Sequence, residues 1–155
     1  MLEFRVVDIE IKLVKIDIKD EHAYAEVKGL RSVLLSILSE EHKPMLHNDD
    51  EVCDIYALYD EGKAVGTARV HPTDEGLKIE RIAVATHLQG KGIGKSLMAM
   101  ILLKYIQGGK LVYLHSISDA SQFYIKCGFQ VIGDEFMQAD IKHFKMIYPD
   151  TSVSN

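Results

Sequence analysis

Residues 80–98 run a short apolar strand, Ile82-Ala83-Val84, through a glycine-rich turn and straight into a helix. The helix reads from Ser96 to Ile106, with Leu97, Met98, Ile101, Leu102 and Tyr105 spaced to form one apolar face, and Gly108-Gly109 stop it. Glycines at 90, 92 and 94 remove side chains where backbone N–H groups must close on a ligand, and the helix behind them adds the positive end of its dipole. The stretch constrains the chain twice. A strand has to deliver its end to a helix N-terminus, and an anion, most readily a phosphate group, has to fit between them.

Several phosphate-binding loops share this outline, and the residues separate them. A dinucleotide fingerprint G-x-G-x-x-G needs glycine at 95 or 97, where Lys95 and Leu97 stand. A P-loop keeps its second half in Gly94-Lys95-Ser96, but its first glycine falls on Gln89, so the wide wrap around a β-phosphate is lost and a nucleotide triphosphatase is disfavoured. The pattern [RQ]-x-x-G-x-[GA] is met in full by Gln89-Gly90-Lys91-Gly92-Ile93-Gly94. With this motif the chain resembles the GNAT N-acetyltransferase superfamily. The resemblance implies that Gln89, Gly90, Lys91, Gly92, Ile93, Gly94 and Lys95 wrap the pyrophosphate of acetyl-coenzyme A, and that the backbone of Ile82, Ala83 and Val84 meets its pantetheine arm. The plain alternative is a strand-turn-helix with glycines for tight packing.

An independent stretch agrees. Leu111 to Ser116 alternates as a strand, Ser118 and Asp119 can cap a short helix, and Phe123-Tyr-Ile-Lys-Cys-Gly-Phe129 is similar to the family's FYxKxGF signature. Gly128 should end that helix in the left-handed conformation, and Phe129 should start a strand on the core. Phe136, Ala139, Ile141, His143 and Met146 resemble the ending of the ElaA- and YjcF-like branch, with Asp140 in place of its glycine. Another departure is Ile117, where many members carry an Asn or Gln that bonds the coenzyme. Its loss should cost about 1 kcal/mol, unless Ser116, Ser118 or the backbone replaces the contact.

The resemblance implies an α/β fold of α+β type: a mixed central sheet of about seven strands flanked by helices, with a splayed parallel strand pair holding the coenzyme. The strand ending at Val84 and the one beginning near Leu111 would be that pair. Acetyl transfer to a primary amine by direct attack in a ternary complex needs a neutral amine, support for the oxyanion, and a proton for the departing thiolate. Tyr124 is expected to supply that proton, and the Val84 N–H to support the oxyanion. Glu80 is the candidate base, placed by simple alternation on the side of Ile82 and Val84, and a surface carboxylate is its plain alternative. His115 and His143 could reach the acceptor as base or specificity groups. His42 and His47 lack metal-ligand spacing with a third group, so no metal is expected. Cys127 reads as a structural thiol. A non-catalytic acetyl-CoA-binding regulatory module stays open as the alternative function.

At 155 residues and 47% hydrophobic, the chain is expected to form one domain, with residues 149–155 a frayed tail. Cys53 and Cys127, without a C-x-x-C partner, suit reduced thiols; with no signal-peptide order and no membrane-length apolar run, a cytoplasmic protein is expected. A net charge of -5 with scattered Lys and Arg argues against a nucleic-acid partner. The expected partner is a small-molecule or peptide amine; the family also allows a homodimer. Phe4 to Ile18 reads as a strand or hairpin pair, Glu21 to Glu41 as a helix that Gly29 could break, and 53–59 with 63–71 as a hairpin about Glu61-Gly62.

Overall fold

The computed structural model describes residues 11–149. Strand β1 (Ile11–Ile16) leads into helix α1 (Glu21–Arg31), capped at its start by the Asp20 carboxylate, which accepts from the Ala23 N–H at 3.2 Å. After short 3₁₀ turns come β2 (Asp54–Asp60), β3 (Lys63–Pro72) and β4 (Leu77–Val84), then α2 (Ile93–Tyr105), β5 (Val112–Ile117), α3 (Ser121–Lys126), β6 (Gln130–Gln138) and β7 (Ile141–Tyr148). One seven-stranded sheet takes the order β1-β2-β3-β4-β5-β7-β6. The expected mixed sheet of about seven strands flanked by helices is present. The part of the Phe4–Ile18 expectation before Ile11, and that of the frayed tail beyond residue 149, lie outside the described residues.

Alternation along β2 explains how the sheet is covered on both faces. Tyr56 and Leu58 join the cluster with Leu97, Met98 and Ile101 of α2, whereas Ile55 and Ala57 pack with Val27 of α1 and with Ile16. All four β2 residues are buried. The hairpin turns at Glu61 and Gly62, both at positive φ, as a two-residue primed turn requires. At the other end of the chain, Ala139 and Asp140 turn β6 into β7 with φ of 51° and 63°, so Asp140 keeps a left-handed turn without the branch's glycine.

Two expectations about helices need correction. The 21–41 helix ends at Arg31 and Gly29 sits inside it; Ser32–Ile37 continues as a 3₁₀ turn. The serines explain the tightening. Ser32 Oγ donates to the Gly29 carbonyl at 2.6 Å and Ser36 Oγ to that of Val33 at 3.1 Å, local bonds that compete with a regular ladder. Helix α2 begins at Ile93, a turn's worth earlier than the apolar spacing suggested, because Gly92 at φ 82° serves as its N-cap.

The feature that makes the site is a break in strand pairing. β4 pairs with β5 in parallel only at Leu77–Val112 and Lys78–Tyr113, while β4 stays with β3 to Val84 and β5 runs its full length along β7. Beyond Lys78 the two strands diverge, and the sheet opens into a cleft.

Candidate active site

At one end of the split, the first two glycines of the turn have no packing duty to perform. Gly90 and Gly92 sit at φ 81° and 82°, and a Cβ at either would meet nothing within 4 Å. These two glycines serve the backbone path. Gly94 differs, since its Cβ would lie 3.0 Å from the Phe123 ring, so only there does the tight-packing alternative hold. Helix α2 has no side-chain cap and no acidic residue in its first turn, and its first bond runs from the Ser96 N–H to the Gly92 carbonyl at 3.0 Å. The N–H groups of Ile93, Gly94 and Lys95 therefore have no acceptor within the helix. Exposed Lys91 and Lys95 flank them. This is a strong anion cradle. Gln89 reaches back 3.4 Å to the Val84 carbonyl.

The end of β4 offers its backbone to the split. The Ala85 N–H donates to the Val65 carbonyl at 2.9 Å, and Val84 stands opposite Gly66 in the next register position. Antiparallel alternation then turns the Val84 N–H away from β3, toward the side β5 has vacated. This is the direction its expected oxyanion role needs.

Behind this point lies a cleft of about 550 Å³ whose lining includes Glu80, Ile82, His115, Ile117, Tyr124 and His143. The structure thus brings together the predicted carboxylate, both predicted histidines and the predicted tyrosine. Tyr124 is half-buried on α3, and no hydrogen bond among the described residues engages its hydroxyl. Burial, and next the Cys127 thiol behind it, push its pKa well above the usual phenol range, so the hydroxyl keeps its proton. Its ring is fixed by Phe123 at 5.0 Å and Phe129 at 6.3 Å. Gly128 at φ 103° closes α3 as expected: the Phe129 N–H returns to the Tyr124 carbonyl at 3.0 Å, and the Gly128 N–H to that of Ile125.

The two histidines are held differently. His143 Nδ1 lies 2.7 Å from the Ile141 carbonyl, an acceptor only, so Nδ1 carries the proton and a neutral ring leaves Nε2 free to accept. The ring stacks on Phe136 with centroids 5.9 Å apart. His115 Nδ1 pairs with Gln138 Oε1 at 3.0 Å, and burial followed by the Lys78 charge lowers its pKa, which favours a neutral ring.

The reasoning that placed Glu80 beside Ile82 and Val84 is overturned. Arg69 stands opposite Glu80 and Thr67 opposite Ala83, with a register shift between them at Arg81, whose φ is 55°. The bulge adds one residue and changes the parity, so Glu80 shares its face with Ala83. Its Oε1 accepts from Arg69 Nε at 3.2 Å and Nη2 at 3.0 Å and lies 3.0 Å from His71 Nδ1, while Oε2 is 3.1 Å from Lys78 Nζ. Burial alone would raise its pKa, but Lys78 and Arg69 outweigh it and hold the group at about 2. A carboxylate that acidic is an anchor and a poor proton acceptor.

Glu80 belongs to a buried ionic network that sequence reasoning did not find. Asp50, 3% exposed, accepts from Arg31 at 2.7 and 3.1 Å, from Arg69 Nη1 at 2.8 Å and from the Tyr24 hydroxyl at 2.5 Å. His47 adds its Nδ1 at 3.0 Å from Arg31 Nη1, and His42 lines the cleft. Cys53, His71 and Glu80 place ligand atoms within 4.8 Å of one another. That cluster suits a metal poorly: two cations already hold the carboxylate, and burial pushes the thiol up to about 11. At Ile117, neither neighbouring serine can take over a lost donor easily. Ser116 Oγ donates to the Ile117 carbonyl at 2.7 Å and Ser118 Oγ to Glu135 at 2.7 Å. Among the described residues, no helix is long and apolar enough to cross a membrane.

Comparison with known proteins gives the arrangement its family. The acetyltransferase (GNAT) domain family matches residues 17–149. The chain is 33% identical over 108 residues to the proposed acetyltransferase BSU40680 of Bacillus subtilis, covering 69% of this chain and 71% of that protein. YyaT of the same organism is 32% identical over 97 residues, 62% of this chain and 66% of its own length, so the matched stretch spans about two thirds of these relatives. Escherichia coli ElaA shares the fold with a TM-score of 0.70 at 21% identity, covering 91% of this chain and 99% of ElaA. An Elizabethkingia anophelis GNAT acetyltransferase, solved with acetyl-CoA bound, aligns with a TM-score of 0.65 at 19% identity over 90% of this chain and 95% of that one. The chain belongs to the GNAT acetyltransferase family and is an acyl-CoA-dependent N-acetyltransferase.

Proposed function

We propose that the protein transfers the acetyl group of acetyl-CoA directly to a primary amine bound in the cleft between β4 and β5. The observation that carries this reading is the opening of the sheet beyond Lys78, with the unsatisfied amides of the Gly90–Gly94 turn at one end and Tyr124 in its wall. Those amides, with Lys91 and Lys95, hold the pyrophosphate, and the outward backbone of Ile82 and Val84 orients the pantetheine arm. The amine nitrogen attacks the thioester carbon; a C–N bond forms, the C–S bond breaks, and the thiolate leaves.

The Val84 N–H steadies the oxyanion in between. Tyr124 stays protonated at working pH and donates to the departing sulfur. For the proton lost by the amine we assign His143 rather than Glu80, because its Nε2 is left to accept while the carboxylate is saturated with cations. His115, neutral beside Gln138, helps shape the acceptor end.

Tyr124→Phe tests this directly. Replacing the hydroxyl should lower kcat about 100-fold, within the range for general acid catalysis, and leave the dissociation constant for acetyl-CoA unchanged. Thiol release on the best amine of a panel, together with calorimetric binding of acetyl-CoA, measures both. Full turnover by Tyr124→Phe removes the proposed acid. Tight acetyl-CoA binding without thiol release on any amine would favour the regulatory-module alternative.

A further inference from the structure

Arg81 lines the cleft with its backbone bent out of its preferred conformation. At φ 55° in the β4 bulge it occupies a region that non-glycine residues avoid. Its Nε donates to the carbonyl of buried Leu46 at 2.8 Å, which fixes the plane of the guanidinium. The terminal nitrogens donate to no described residue, yet the side chain is half-buried and lines the cleft. A guanidinium held by one nitrogen, with the fork left open, is the form that receives a carboxylate in two parallel bonds.

No described carboxylate pairs directly with it, and Glu80 and Asp50 attract it only from beyond ion-pair distance. The buried network and Arg81 together hold four cations, Arg31, Arg69, Lys78 and Arg81, against two carboxylates, Asp50 and Glu80. Glu80 is already shared among Arg69, Lys78 and His71, and Asp50 among Arg31, Arg69 and Tyr24. Excess positive charge under a partly apolar cleft favours an incoming anion. Burial, and then the neighbouring Arg69 charge, lower the Arg81 pKa, which is the penalty a bound carboxylate would relieve. Leu34, Leu38 and the exposed Ile37 and Met45 also line the cleft and make an apolar wall.

Resting on the acetyl-transfer reading above, we propose that Arg81 selects the acceptor: a free α-amino acid with an apolar side chain, its carboxylate on the Arg81 fork and its side chain against the 3₁₀ wall. The pairing also serves the chemistry. A carboxylate next to an ammonium group strengthens its hold on the proton, and engaging that carboxylate with Arg81 removes this effect. The amine can then lose its proton to a base as mild as a neutral imidazole. Acetylation forms the amide C–N bond, breaks the thioester C–S bond and leaves the carboxylate untouched.

The test compares L-leucine, L-methionine and L-phenylalanine with their primary amides by thiol release at saturating acetyl-CoA, alongside tyramine and spermidine. The acids should exceed their amides in kcat/KM by about tenfold to a hundredfold, the range for a hydrogen bond to a charged group. In Arg81→Met that ratio should fall to near one, and Arg81→Lys should restore part of it, while acetyl-CoA affinity measured by calorimetry holds in both variants. Equal turnover of acid and amide by the unmodified protein overturns the proposal, as does an unchanged ratio in Arg81→Met. Turnover confined to tyramine or spermidine overturns it while leaving the acetyltransferase reading intact; failure to bind acetyl-CoA, or no thiol release with any amine, removes that reading and this one with it.

Discussion

The two ends of the cleft are built from different materials. The proposed coenzyme end is backbone: two left-handed glycines, three unclaimed helix N–H groups and the outward edge of β4, all within residues 82–95. The proposed acceptor end is side chain: Leu34 and Met45 from the 3₁₀ turns, Arg81 from the bulge, His115 from β5 and His143 from β7, all lining the cleft. On the proposed reading, backbone geometry recognises the pyrophosphate shared by every acyl-CoA, and such geometry can be written in one short motif. Side-chain recognition has to be assembled from distant parts of the chain, and it can be rewritten without disturbing the donor. The difference explains how one fold keeps its donor and changes its acceptor.

The comparison predicts that stability and donor binding can be damaged separately. Asp50→Ala leaves Arg31 and Arg69 buried without their shared carboxylate, and Arg31 is 0% exposed. Breaking such a pair costs about 3–5 kcal/mol, a large share of the stability of a domain this size. Urea unfolding should show that loss, whereas acetyl-CoA titrated into the protein that stays folded at low temperature should bind as before. A large fall in coenzyme affinity would mean that the network supports the donor end too, and the division drawn here would fail.

The same division decides what could be read from the sequence. The Glu61-Gly62 hairpin, the glycine turn, α2 and the Gly128 cap were legible because their signals are local: a residue type at a fixed offset from a periodic run. Tyr124, His115 and His143 were legible as candidates because the elements carrying them fall at fixed places in the fold. Asp50 was not. In His47-Asn-Asp-Asp-Glu51 it reads as one more solvated acid, and its buried role depends on Arg31, 19 residues earlier, and Arg69, 19 residues later. Arg81 was hidden by the bulge, since alternation assumes an unbroken register and gave Glu80 the wrong face. The early end of α1 has a similar origin, because the serines that tighten the next turn are compatible with either helix type until the chain must fold over the cleft.

At the coenzyme end a smaller change should act without touching the core. Gly92→Ala adds a methyl group into open space, so the cost is conformational: holding alanine at φ 82° costs about 1–2 kcal/mol. If the turn is presented to the pyrophosphate in this geometry, the variant should bind acetyl-CoA about tenfold more weakly, with KM for the amine unchanged. Calorimetry of the coenzyme and initial rates with varied amine separate these effects. An unchanged coenzyme affinity would show that the turn adjusts freely, and the backbone would then contribute less to donor recognition than its geometry suggests.

Ile117 gives the finest probe because it lies where the two ends meet. It closes β5 and lines the cleft, and it stands where the resemblance to the family implies an Asn or Gln. Ser116 and Ser118 direct their hydroxyls elsewhere, to the Ile117 carbonyl and to Glu135, so no adjacent hydroxyl is waiting to donate. Ile117→Asn should restore one neutral hydrogen bond, about 1 kcal/mol, and tighten acetyl-CoA about fivefold. Some of that gain is offset, because isoleucine also contributes apolar contact at the edge of the cleft. The sign of the measured change therefore shows which contribution governs this position. Tighter coenzyme binding with the amine KM unchanged assigns Ile117 to the donor end; weaker binding of the amine alone assigns it to the acceptor wall, where the apolar side chain has been kept for the substrate.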